Sequence, residues 1–225
     1  RKKNGGDNMS QYWMKARDPI SSFTHMIGAV FFAIATVLLV CKTLIFPAWS
    51  VKVLVGVILF GCSLVALYSA SSIYHFFNGS GKKLMILRKL DHAMIYVLIA
   101  GTYTPILLKY LPTLESEIFT IAIWACACIG IIIKLCWFSA PRWLQTALYI
   151  AMGWAILFDL SIFQSMSGAA VFLLAAGGIS YTVGGVIYML KKPNISAQFG
   201  FHELFHIFVL LGSLFHFLMI FFFVS

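Results

Sequence analysis

Seven apolar stretches, at about 20–45, 53–77, 88–108, 116–138, 142–163, 167–190 and 201–224, leave this chain of 225 residues little choice of architecture. Each is close to the roughly 20 residues that an α-helix needs to cross about 30 Å of hydrocarbon. In lipid every backbone N–H and C=O must find its partner within the protein, so runs of this length become helices. Hydrophobic residues at 61% and charged residues at 10% exclude an ordinary water-soluble domain, in which about a quarter of residues are charged. The expectation is an all-α, polytopic integral membrane protein: a bundle of seven transmembrane helices forming a single domain over 1–225, because the connections are too short to fold alone. The fifth and sixth runs are separated by little more than Gln164, Ser165 and Ser167.

Lysine and arginine placement sets the expected orientation. With the N-terminus in the cytoplasm, thirteen of the 16 basic residues fall on the inner side, from Arg1, Lys2, Lys3, Lys15 and Arg17 through Lys82, Lys83, Arg88, Lys89, Lys134 and Arg142 to Lys191 and Lys192. Lys42, Lys52 and Lys109 are left outside, near Glu115 and Glu117. The predicted location is the cell membrane, N-terminus in and C-terminus out. The net charge of +9 is then a topology signal with some attraction to anionic headgroups, and it calls for no nucleic acid. Trp13, Trp137 and Trp143 at the inner interface and Trp49 at the outer one fit aromatic belts. About eighteen polar residues precede the first run, which is too long for a cleaved signal core, so no secretory signal is expected. Cys41, Cys62, Cys126, Cys128 and Cys136 lie in or beside apolar runs, and no disulfide or cysteine metal site is assigned to them.

Within this frame the chemistry gathers at one level. His202 and His206 are four residues apart, so on a helix they share a face about 6 Å apart along the axis, a spacing that suits two ligands of one metal ion. The competing reading is a pair of interfacial histidines bonded to neighbouring helices. The seventh run starts on the inner side, where the second run ends with Ser71 and His75 and the third begins with Asp91 and His92; His25 is early in the first run. Ionisable groups inside a membrane are costly and mark functional sites. Zinc takes imidazole readily, and His75, His202 and His206 can supply three nitrogens, with an open position for water. Asp91 can orient that water and accept its proton, and Ser71 offers a hydroxyl to the same network or to a carbonyl oxygen. The plainer alternatives are an Asp91 paired with Arg88 or Lys89, and a Ser71 bonded to its own or a neighbouring helix. His25 and His92 read as supporting or packing residues. His216 is about 15 Å beyond His206 and reads as a bonded core histidine; Asp159 reads as an interfacial acid; and Gly177, Gly178, Ser180, Gly184 and Gly185 read as close helix packing.

From Asp18-Pro19-Ile20-Ser21-Ser22-Phe23-Thr24-His25 to the C-terminus, the chain carries Ser71-x-x-x-His75, Lys89-Leu90-Asp91-His92, Gly101-Thr102-Tyr103-Thr104-Pro105 and His202-x-x-x-His206 in order. With these motifs it resembles the hemolysin III branch of the progestin and adipoQ receptor family, which includes the adiponectin receptors and is grouped with the alkaline ceramidases as membrane hydrolases. The resemblance implies a seven-helix bundle, zinc on His75, His202 and His206, and Asp91 on the zinc-bound water.

Three function classes follow. The first is a zinc-dependent hydrolase of lipid ester or amide bonds, its substrate entering from the inner leaflet and its partners membrane lipids, with no obligate protein partner inferred. The second is non-enzymatic: cytolytic, as the family name suggests, or a receptor-like regulator of membrane state in which zinc only braces helices. The third is an intramembrane metalloprotease, because His202-Glu203-x-x-His206 also fits a pattern in which the Glu is the general base. No broad polar stripe runs along several of the apolar stretches, as a water-filled channel would need.

Overall fold

The computed structural model describes residues 15–45, 50–196 and 199–225. Trp13, Trp49 and the basic residues Arg1, Lys2 and Lys3 lie outside the described residues. Among those described there are seven α-helices and no strand: α1 Pro19–Ile45, α2 Val51–Phe76, α3 Gly81–Tyr110, α4 Thr113–Cys136, α5 Arg142–Gly153, α6 Gly168–Leu190 and α7 Phe201–Phe223. Five of them, α1, α2, α4, α6 and α7, are long and apolar enough to cross a bilayer, which makes this a multi-pass membrane protein.

Local signals account for the helix starts. Pro19 opens α1, where its missing N–H leaves no bond unmade. Ser50 caps α2 by accepting the Val53 N–H at 3.2 Å. Gly81, at φ +69°, takes the left-handed turn that enters α3. That helix starts at Gly81 and not near 88, because Lys82 and Lys83 are good helix formers whose charged heads are exposed.

The fifth run departs from expectation: α5 stops at Gly153, and the chain continues as two 3-10 turns, Ala155–Phe158 and Leu160–Ser165. The Tyr103 hydroxyl donates to the Gly153 carbonyl at 2.8 Å and accepts the Ile156 N–H at 2.9 Å, taking backbone groups that an α-helix would have paired within itself. Asp159 then accepts the N–H of Ser161 at 3.1 Å and its hydroxyl at 2.5 Å, which starts the second turn.

Packing follows a solvent that is apolar. On α1 the buried positions include Ser21, Ser22, His25, Gly28 and Thr43, whereas Ile27, Val30, Ile34 and Val37, at helical spacing, are exposed. Polar and small residues therefore face the bundle, and aliphatic ones face the lipid. α2, the most enclosed of the apolar helices, packs along α1 on one side and α3 on the other; α4 packs on α3, and α7 on α6 and α1. Gly56 lets α2 approach α3 at Pro105, where an added Cβ would meet the proline Cα at 2.8 Å. At the far end Lys42 donates to the Ser225 carbonyl at 2.7 Å and Tyr110 to the Phe223 carbonyl at 2.9 Å, tying α1 and α3 to the end of α7. The start of α1, end of α2, start of α3, start of α5 and start of α7 all contribute to a cavity at the opposite end.

Candidate metal centre

His75, His202 and His206 come together as the sequence spacing implied: one ring nitrogen from each lies within 4.8 Å of the other two. His75 and His206 are buried, and His75 Nε2 is 3.3 Å from His202 Nε2. Nitrogens bonded tetrahedrally to one zinc at about 2.05 Å are about 3.3 Å apart, so this pair already has the required separation.

The orientation of His75 comes from a residue the sequence reading noted only as part of a motif. Asp18 Oδ2 is 2.9 Å from His75 Nδ1, and the Asp18 N–H donates to the His75 carbonyl at 3.0 Å. Arg17 donates to the same carboxylate oxygen at 2.9 Å. Partial burial raises the carboxyl pKa, but the bonds from His75 and Arg17 outweigh it and leave it lowered to about 2. An ionised Asp18 can only accept, so His75 Nδ1 must carry the proton and Nε2 presents its lone pair toward His202. A carboxylate that fixes the tautomer and basicity of a ligating histidine is the usual support of a zinc site. The signal was available: Asp18 stands directly before Pro19, at the level where α2 ends.

His25 and Tyr68 complete the wall. The His25 ring stacks on His206, centroids 3.7 Å apart and 15° from parallel, while Tyr68 meets His25 edge-on at 4.9 Å. Among the described residues neither ring nitrogen of His25 makes a hydrogen bond of good geometry, nor does His206 Nδ1. The Tyr68 hydroxyl donates to Ser213 Oγ at 2.6 Å, which fixes α2 against α7 just deeper in the bundle. An aromatic ring held between Tyr68 and His206 leaves the latter little freedom to rotate.

Asp91 and Ser71 line the same cavity as the three histidines. Among the described residues Asp91 forms no ion pair with Arg88 or Lys89: Lys89 donates to the Leu135 carbonyl at 2.9 Å, and Asp91 Oδ2 lies 3.5 Å from His92 Nδ1. His92, its neighbour, turns Nδ1 to the Arg88 carbonyl at 2.8 Å and is kept out of the histidine cluster. His216 directs Nε2 to the Leu174 carbonyl at 3.2 Å. Glu203 is committed to the start of α7: Oε2 accepts the Gly200 N–H at 2.9 Å and Oε1 accepts the Ser21 hydroxyl at 3.1 Å. The cavity, of about 350 Å³, passes from Arg17, Arg88 and Arg142 at its charged end to Leu98, Ile99 and Trp154 deeper in the bundle. Three imidazoles beside a carboxylate and a hydroxyl, open to a space of this size, can hold a metal ion and admit part of an amphiphile.

The family model described as "Haemolysin-III related" matches residues 13–217. A "Hemolysin-3 homolog" of Bacillus subtilis (strain 168) is 35% identical over 195 residues, covering 86% of this chain and 87% of that protein. A "Hemolysin-3" of Bacillus cereus is 33% identical over 208 residues, covering 91% and 90%.

Proposed function

This chain belongs to the haemolysin-III-related family, and from that premise we propose that it is a zinc-dependent hydrolase of lipid ester or amide bonds, with His75, His202 and His206 as the metal ligands. The observation that carries the reading is the arrangement of Asp91 and Ser71 on the cavity that the three histidines share. A metal that only braced helices would have no use for a carboxylate and a hydroxyl beside a space large enough for a substrate. Zinc held by these histidines would lower the pKa of a bound water toward neutral and polarise a carbonyl.

The chain's own groups supply the rest. Asp91 takes a proton from the attacking water as that water adds to the acyl carbon, and returns it to the departing oxygen or nitrogen. The products are a fatty acid and an alcohol or amine. Ser71, on the same cavity, offers a hydroxyl to the Asp91 carboxylate or to the substrate carbonyl. Asp18 keeps the His75 lone pair directed into the cluster. Glu203 has both oxygens engaged by Gly200 and Ser21, which argues against the protease reading.

Purified protein should carry about one zinc per chain and release fatty acid from an ester or amide lipid in mixed micelles. Glu203→Gln should retain most of that activity while losing some stability, as expected for a weakened helix start. Metal without turnover on any acyl lipid favours the second reading, a regulatory or cytolytic membrane protein with structural zinc. Turnover abolished by Glu203→Gln, with the variant folded and loaded, returns the protease.

The charge bias places the metal end at the cytoplasmic face, within reach of inner-leaflet lipids. In intact cells a membrane-impermeant maleimide should label Thr113→Cys above the parent's background and leave Asn194→Cys unlabelled, both positions being exposed on opposite ends of the bundle. The reverse pattern moves the site to the outer leaflet.

A further inference from the structure

Arg88 and Arg142 line the charged end of the cavity, and among the described residues neither has a carboxylate partner. Arg17, the third arginine there, is already paired with Asp18. The two unpaired guanidiniums are held by stacking: Arg142 lies 4.6 Å over the Tyr188 ring and 5.6 Å over Phe201, and Arg88 lies 5.1 Å over Phe138. Stacking engages the face of a guanidinium; Arg142 also donates from Nη1 to the Tyr188 carbonyl at 3.4 Å, and its remaining N–H groups, like those of Arg88, can donate in the fork geometry that suits phosphate oxygens.

Arg142 stacks on Tyr188, whose ring is 5.8 Å from that of His202. Two positive charges thus line the cavity of the histidine cluster from α3 and α5. Deeper, the lining becomes apolar at Leu98, Ile99 and Trp154. Such a gradient suits a molecule with an anionic head and a hydrocarbon tail. A neutral head would leave both cations without an anionic partner, at a cost that falls mainly on the part-buried Arg142, since Arg88 is exposed.

We propose that Arg88 and Arg142 form a phosphate-binding subsite, and that the lipid acted on carries a phosphate headgroup next to its acyl linkage. This rests on the hydrolase reading for the word "acted" and on the cavity alone for binding.

The test is binding of lysophosphatidate, ceramide and inorganic phosphate to purified protein in neutral detergent, by native mass spectrometry, on wild type and on Arg142→Gln, Arg142→Lys, Arg88→Gln and His206→Ala. Lysophosphatidate should bind tighter than ceramide. Each Arg→Gln change should weaken it about 10–100-fold, the range for loss of one charge-assisted contact, and Arg142→Lys should weaken it less. Ceramide binding should not respond to the arginine variants. His206→Ala should keep lysophosphatidate binding while losing zinc and turnover, which separates this subsite from the metal site; zinc-loaded wild type that binds lysophosphatidate through the arginines yet hydrolyses no acyl lipid sinks the hydrolase and leaves the subsite standing. Equal affinity for ceramide and lysophosphatidate, or arginine variants without effect in folded protein, overturns the subsite and leaves the hydrolase untouched. Inorganic phosphate that binds as tightly as lysophosphatidate overturns the lipid assignment in favour of a free anion.

Discussion

His206→Ala should empty the metal site, taking bound zinc from about one per chain to nearly none, and should lower the thermal midpoint by about 5–10 °C at saturating zinc. The buried His206 ring stands between His25, stacked on it at 3.7 Å, and the rings of His75 and His202 at 4.9 and 4.6 Å. Among the described residues the group placed to hold a metal is His75, His202 and His206, and His92 and His216 are turned to carbonyls elsewhere. The thermal effect follows from linkage. A ligand at about 100 times its Kd stabilises the folded state by about 2.7 kcal/mol, and about 1 kcal/mol corresponds to roughly 2–4 °C in a chain of this size. A metal joining α2 to α7 would contribute in that way. Chelation should bring the wild-type midpoint down to that of the variant and leave the variant where it was. Inductively coupled plasma mass spectrometry with a chelator titration of the melting curve measures both. A variant that keeps its zinc shows that His206 is not a ligand.

Helix number, the positions of six of the runs and the residues of the histidine cluster were legible because they depend on local rules: span length, the four-residue spacing on α7, and the alternation that brings the end of α2 to the start of α7. Three features were not. The break at Gly153 depends on the Tyr103 hydroxyl, fifty positions away, competing for backbone groups of an otherwise apolar run. Asp18 stood out only as the first residue of a motif, and becomes the partner of His75 only once α1 and α2 pack side by side. Glu203 fitted a general-base pattern, and spacing alone does not show that the Gly200 N–H and the Ser21 hydroxyl from α1 occupy its two oxygens. In each case a partner distant in sequence decides a role that local pattern leaves open.

Asp91→Asn separates catalysis from bracing. Asp91 is not among the three clustered nitrogen donors, and it lines the cavity that they share. If it orients and deprotonates water, its amide replacement keeps the size while losing the ability to take a proton. Hydrolysis should then fall by the roughly 10²–10⁴-fold that a general base contributes. Zinc affinity should weaken only about 10–100-fold, the usual consequence of altering a group beside the ligands. Melting at saturating zinc should stay close to wild type, unlike His206→Ala, because three imidazoles still join the helices. Metal content, turnover and melting measured on the same preparations distinguish the cases. An Asp91→Asn protein as empty as His206→Ala makes Asp91 a direct ligand. One that retains full turnover removes Asp91 from the chemistry, and the metal is then a brace between α2 and α7.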